Sequence, residues 1–223
     1  MTDRNEIVRL AMYTTLASTG RLPSSGELAA ETGLTSSEIT EATNELAASR
    51  HLVFDGDHAI VLAHPFATRS FAFSVMGDHT LWWGGCAWDA FAIPNLVPVE
   101  PTALVATTCP ACGTAHSWTV TSDGPPEGTQ VAHFLTPMAQ VWDDVIHTCE
   151  NQRIFCSEAC VDRWLTETGN ERGAVFDLAT LWRLASKWYA GRLNTPYRRR
   201  EPKEAHEYFA SAGLVGPFWG NAV

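Results

Sequence analysis

The sequence has few basic residues, no apolar run long enough to span a membrane and no internal repeat. Its 15 Lys and Arg side chains face 25 Asp and Glu side chains, which gives a net charge of −10. Polyanions are bound through cations, so this balance argues against nucleic acid as a partner. Residues 1–6 also lack the apolar core of a signal peptide. We therefore expect a cytoplasmic protein with no membrane and no nucleic-acid partner.

The pattern along the chain changes near residue 65. Residues 5–63 combine helical spacing with a capping box at Thr35–Glu38 and a β-hairpin that turns at Asp55–Gly56. This order predicts a winged-helix-like bundle over residues 1–65. Residues 66–223 alternate short strand patterns with apolar helices, among them a helix predicted over 176–192, and predict a mixed α/β domain with antiparallel strands. The predicted fold class is α+β.

A winged helix commonly binds DNA, which leaves a metal-responsive regulator as one alternative. The candidate recognition helix, residues 36–49, contains Glu38, Glu41 and Glu45 and no Lys or Arg. Carboxylates at these positions would repel the phosphate backbone. We therefore favour a structural or protein-contact role for the amino-terminal bundle.

The cysteines are the residues that best indicate a function. Five of the six cysteines lie in three short motifs, which are Cys86-Ala-Trp-Asp89, Cys109-Pro-Ala-Cys112-Gly113 and Cys156-Ser-Glu-Ala-Cys160. In a reducing compartment, such clusters indicate metal binding or catalysis rather than disulfides. The remaining thiol, Cys149, lies outside these motifs, and we expect it to have no functional role.

The second and third motifs have the spacing of a four-thiolate zinc site. Cys109 and Cys112 would lie on a turn that Gly113 permits, and Cys156 and Cys160 would lie at the start of a helix. Binding of a structural zinc ion by these four residues would raise the free energy of unfolding by on the order of ten kcal/mol. Cysteine spacing indicates which residues can bind a metal more reliably than it indicates what the metal or the cysteines do. The spacing is therefore compatible with a catalytic role for Cys156 as well.

The first motif predicts a thiol beside an acid. Residues 86–93 are predicted to form a short helix that ends at Pro94, so Cys86 and Asp89 share one face of it. Apolar neighbours favour the neutral form of the acid, and a neutral acid beside a thiol can give a proton to a developing carbanion. The alternative is that Cys86 is a small buried apolar residue and Asp89 forms hydrogen bonds within the helix.

Residues 83–94 closely resemble the active-site segment of the alkylmercury (organomercurial) lyases. There the element Cys86-Ala-x-Asp89 is followed by apolar residues and Pro94. The likeness continues at residues 108–113 and at Phe155-Cys156, where the family has its second catalytic cysteine after a phenylalanine. It also includes the helix that begins near residue 173, and it extends over about residues 5–193.

This resemblance implies a mercury-resistance enzyme, a carbon–mercury lyase. Cys86 and Cys156 would bind mercury and Asp89 would donate the proton. A small organomercurial would be converted to a hydrocarbon and bound Hg²⁺ without an organic cofactor, and cytosolic thiols or a mercuric reductase would then accept the Hg²⁺. If zinc instead holds Cys156, the chain would be a zinc-binding relative of the lyase fold that acts on a non-mercury substrate.

Overall fold

The computed structural model describes residues 3–220, which contain eight α-helices and ten β-strands. The helices are α1 (Asp3–Thr19), α2 (Ser25–Thr32), α3 (Ser36–Ala48), α4 (Ala87–Leu96), α5 (Val145–Glu150), α6 (Glu158–Thr168), α7 (Leu178–Ser186) and α8 (Pro202–Ser211). The strands are β1 (Val53–Phe54), β2 (Ile60–Ala63), β3 (Phe66–Ala67), β4 (Phe73–Met76), β5 (Leu81–Gly84), β6 (Thr102–Thr108), β7 (Ala115–Thr121), β8 (Val131–Phe134), β9 (Gln152–Phe155) and β10 (Ala174–Asp177).

The strands form two sheets in which all the pairs are antiparallel. The larger sheet has the order β1-β2-β3-β5-β4-β6-β7, and the smaller has the order β10-β8-β9. Helix α4 is apolar on all sides and packs against α7 and against strands of both sheets. The α+β class with antiparallel strands is therefore confirmed. Within residues 3–220, no helix combines the length and apolar character needed to cross a bilayer.

The amino-terminal helices and hairpin lie where the sequence predicts them. The predicted capping box is present, with Thr35 and Glu38 bonding to each other's backbone amides at the start of α3. Glu41 and Glu45 bind the Arg4 guanidinium of α1 at 2.8 Å each. The β1–β2 hairpin continues through β3 into the larger sheet, so its strands are part of that sheet. The winged-helix description and the boundary at residue 65 stay predictions.

Other boundaries differ from the sequence pattern for physical reasons. Helix α4 continues through Pro94 to Leu96, because a proline near a helix end removes few backbone bonds and packing on all sides holds the last turn. The helix predicted over 176–192 is replaced by β10 and the shorter α7. Phe176 pairs with Ala132 of β8, so a strand partner distant in sequence overrides the local helical pattern.

Candidate active site

The site is built around the start of α4. Strand β5 ends at Gly84, and Cys86 has extended backbone angles as the residue that caps the helix. The backbone N–H of Asp89 donates to the Cys86 sulfur at 3.5 Å. Both side chains are almost fully buried, with 2% of Cys86 and 1% of Asp89 exposed. The predicted thiol and acid are thus brought together by the geometry of one helix start.

Two glycines let the strand approach this helix closely. A Cβ on Gly84 would lie 2.8 Å from the Cα of Ala90, which is closer than backbone atoms tolerate. A Cβ on Gly85 would lie 2.5 Å from Asp89 Oδ2 and 2.7 Å from Leu62 Cδ2. The Gly-Gly pair is therefore required for the position of the Asp89 carboxyl group, and not only for ending a strand.

Each oxygen of the Asp89 carboxyl group has a buried partner. His64 Nδ1 lies 2.8 Å from Oδ2, and the Tyr189 hydroxyl donates to Oδ1 at 2.5 Å. His64 lies between β2 and β3, and Tyr189 follows α7, so the acid is fixed by segments that are distant in sequence. Sequence reasoning missed both partners, because neither lies in a motif with Asp89.

The buried side chain of Arg192 contacts both residues that bind the Asp89 carboxyl group. The Arg192 guanidinium donates to the His64 carbonyl oxygen at 2.5 Å and to the Tyr13 hydroxyl at 3.2 Å. It also lies 4.8 Å from the centroid of the Tyr189 ring and bonds to the Tyr197 hydroxyl. A guanidinium with this many contacts has little freedom, so Arg192 fixes the segments that position Asp89.

Cys149 on α5 is the thiol that neighbours Cys86. Burial raises the pKa of the Cys86 thiol well above its usual range, and the adjacent Cys149 thiol and the Asp89 carboxyl raise it further. For Cys149, interaction with Cys86 lowers the pKa, while burial and the nearby Asp89 raise it, and the net direction is upward. Ligand atoms of His64, Asp89 and Cys149 all lie within 4.8 Å of one another. Both thiols therefore carry their protons at neutral pH.

The structure does not bring Cys156 to Cys86. Cys156 instead lies with Cys109, Cys112 and Cys160, whose sulfur atoms are all within 4.8 Å of one another. Cys86 and Cys149 pack in the main core, whereas Cys109, Cys156 and Cys160 pack in a separate small apolar cluster and Cys112 is exposed. The catalytic role that the resemblance gives to Cys156 stays a prediction, and the structure places this thiol in the four-cysteine cluster. One signal in the sequence could have indicated Cys149: once four cysteines are assigned to a metal site, it is the only thiol left to pair with Cys86.

Cys86, Asp89 and Cys149 lie on the wall of a cleft of about 1210 Å³. Aromatic side chains form much of the remaining wall, namely Trp88, Trp142, Trp188 and Tyr189, and the outer part carries Arg50, Arg199 and Arg200. Such a cleft accommodates a small apolar ligand with room to spare. The two thiols and the acid on its wall are themselves almost fully buried.

A family model for alkylmercury lyases matches residues 66–190 of the sequence. This match covers more than half of the chain and includes Cys86, Asp89, Cys149 and Tyr189. The chain belongs to the alkylmercury lyase family. Two residues that support the acid, His64 and Arg192, lie just outside the matched segment of this lyase-family chain.

Solved structures agree with the lyase-family assignment at the level of the fold. The crystal structure of the mercury-bound form of MerB2 is similar to this chain with a TM-score of 0.64, covering 87% of this chain and 93% of that one. The two sequences are 15% identical, so this likeness shows the fold that the two chains share. No curated protein matches the sequence.

Proposed function

We propose that this alkylmercury-lyase-family chain cleaves the carbon–mercury bond of small organomercurials by protonolysis, with Cys86 and Cys149 as the mercury-binding thiols and Asp89 as the proton donor. The observation that carries the proposal is the meeting of two protonated thiols and one carboxyl group at the base of a single cleft. Soft sulfur ligands bind mercury, while the carboxyl group handles the proton.

The first step is capture of the metal by sulfur. The thiols are protonated at rest because burial raises their pKa values, so each loses a proton as it forms a mercury–sulfur bond. The Asp89 carboxylate is within reach as a base, since its ligand atom lies within 4.8 Å of the Cys149 sulfur. It takes one of these protons, and the other leaves with the ligand that the organomercurial carried.

The second step is transfer of that proton to carbon. Two thiolates donate electron density to mercury and weaken its bond to carbon, and Asp89 then protonates the departing carbon atom. One organomercurial and two thiols thus give one hydrocarbon, one protonated ligand and Hg²⁺ held by two thiolates. The chemistry uses no organic cofactor. A cytosolic thiol or a mercuric reductase would then remove the Hg²⁺ by exchange at sulfur.

His64 and Tyr189 act as positioning residues in this scheme. Their hydrogen bonds fix both oxygens of the Asp89 carboxyl group, so the proton is held at a defined place relative to the thiols. The separate four-cysteine cluster favours this scheme over the alternative of a non-mercury substrate. That alternative assumed a zinc ion that would occupy the second catalytic thiol, and Cys149 lies outside the four-cysteine cluster.

The test compares two serine variants in the same assay. Protein is given phenylmercury acetate, and benzene release and bound mercury per chain are measured. Cys149→Ser should release benzene at under about 1% of the wild-type rate, whereas Cys156→Ser should retain turnover when normalised to the folded fraction. Asp89→Asn should bind mercury and release no benzene. Full turnover by Cys149→Ser, or loss of turnover in folded Cys156→Ser, would overturn the assignment.

A further inference from the structure

We propose that Cys109, Cys112, Cys156 and Cys160 form a closed four-thiolate zinc site that fastens the smaller sheet to the larger one. The β6–β7 hairpin of the larger sheet supplies the first two ligands, and the segment from β9 to α6 supplies the other two. This site would be independent of the thiols that bind the substrate.

The distances between the sulfur atoms suit a tetrahedral ion of this size. Zinc–sulfur bonds of about 2.3 Å place the sulfurs of a tetrahedron about 3.8 Å apart. The four sulfur atoms lie within 4.8 Å of one another, and those of Cys112 and Cys156 are 3.3 Å apart. All four cysteines are free thiols. An all-sulfur set favours zinc over hard cations such as Mg²⁺ and Ca²⁺, which prefer oxygen.

The first pair of ligands lies on a tight turn. The Cys109 carbonyl oxygen accepts a hydrogen bond from the Gly113 amide at 2.9 Å, and the Cys109 amide donates to the Thr114 carbonyl oxygen at 2.9 Å. Gly113 has a φ of 72°, in the left-handed region that glycine adopts most readily. The turn directs both sulfurs towards one point beyond the ends of β6 and β7.

The second pair lies at the start of α6. Cys156 directly follows the last residue of β9, and Cys160 lies in the first turn of the helix, with its amide donating to the Ser157 carbonyl oxygen at 3.1 Å. A strand end and a helix start therefore hold these two sulfurs at a fixed separation. Cys149 lies on α5, just before β9, so a metal here would anchor β9 at the end opposite Cys149.

Polar groups around the cluster suit four negatively charged sulfurs. The Thr114 hydroxyl lies 3.1 Å from the Cys112 sulfur, and His116 Nε2 lies 3.3 Å from the Cys156 sulfur. The Arg163 guanidinium donates to the Cys160 sulfur at 3.9 Å. Zinc with four thiolates carries a net charge of −2, and donors in the outer shell reduce the cost of that charge. With four protein ligands, the ion has no open position for substrate.

Metal analysis of protein purified in reductant, with no metal added, tests the proposal. We expect one zinc per chain in the wild type and at least a tenfold lower content in Cys160→Ser. Replacement by Co²⁺ should give the charge-transfer absorption of cobalt–thiolate bonds and the visible bands of a tetrahedral ion. Removal of the zinc by a chelator should lower the melting temperature.

Cys149→Ser is the matched control, because it removes one thiol outside the cluster. This variant should retain one zinc per chain even though it has lost lyase turnover, so the zinc proposal and the lyase proposal fail separately. Absence of zinc from the wild type, equal zinc in Cys160→Ser, or a Cys112–Cys156 disulfide in place of metal would each overturn the zinc site.

Discussion

Adding one methyl group at Gly85 should displace the carboxyl group that we propose as the proton donor while leaving the fold in place. The Cβ of Gly85→Ala would lie 2.5 Å from Asp89 Oδ2, whereas ordinary contact begins at 3.4 Å, so the carboxyl group must retreat by about 0.9 Å. A misplacement of about 1 Å in an active site can cost on the order of 100-fold in rate. We therefore expect hydrocarbon release to fall by about two orders of magnitude.

The same substitution should have a smaller effect on stability. The new methyl group also meets Leu62 Cδ2 at 2.7 Å, and overpacking of a core costs about 1–3 kcal/mol. For a chain of this size, each kcal/mol lowers the melting temperature by about 2–4 °C. A drop of several degrees, combined with near-complete loss of single-turnover benzene release at 25 °C, is the expected pair of results.

Gly26→Ala provides the control with the same chemical change. A Cβ on Gly26, in α2, would meet no atom within 4 Å outside the nearby backbone of its own helix, so turnover should stay near the wild-type value. The melting temperature should stay the same or rise slightly, because alanine favours a helix over glycine. If folded Gly85→Ala released benzene within threefold of the wild-type rate, the position of the Asp89 carboxyl group would not limit proton transfer. The reasoning from the close approach at Gly85 would then be refuted.

Two further predictions concern buried polar side chains, namely the Tyr189 hydroxyl and two histidines. Tyr189→Phe removes the hydroxyl that donates to Asp89 Oδ1 at 2.5 Å. Because a hydrogen bond to a charged group contributes about 1.5–3 kcal/mol, single-turnover release of benzene should slow by about 10- to 100-fold. Mercury binding should be retained. Burial lowers the pKa of His133 to about 4 and that of His51 to about 3, so below pH 6.5 the unfolded chain binds more protons than the folded one. The contribution of these two histidines to the free energy of unfolding should therefore be constant above pH 6.5 and fall by up to about 1.4 kcal/mol per histidine per pH unit towards pH 4. Urea unfolding at a series of pH values measures this slope, and His133→Gln should reduce it.

The sequence alone determined the elements that depend on local chemistry. Cys86 and Asp89 are three residues apart, so the start of one helix was enough to predict that they meet. The capping box at Thr35–Glu38 and the Cys109–Gly113 turn could also be predicted from the sequence, because each is closed by hydrogen bonds between residues a few positions apart. The resemblance to the lyases rested on the same short motifs and led to the correct family.

Only the tertiary structure decided which thiol faces Cys86. Cys149 and Cys156 are close in sequence, yet β9 runs between them and carries them to different clusters. His64 and Tyr189 meet at Asp89 although they lie on opposite sides of it in the chain. Side-chain contacts between distant segments are fixed by sheet pairing and core packing, and no spacing rule in the sequence encodes them. The pair of Cys86 and Asp89 could therefore be predicted from its motif, and elimination could at most single out Cys149 among the thiols. The position of Cys149 beside Cys86 and the hydrogen-bond partners of Asp89 come only from the folded chain.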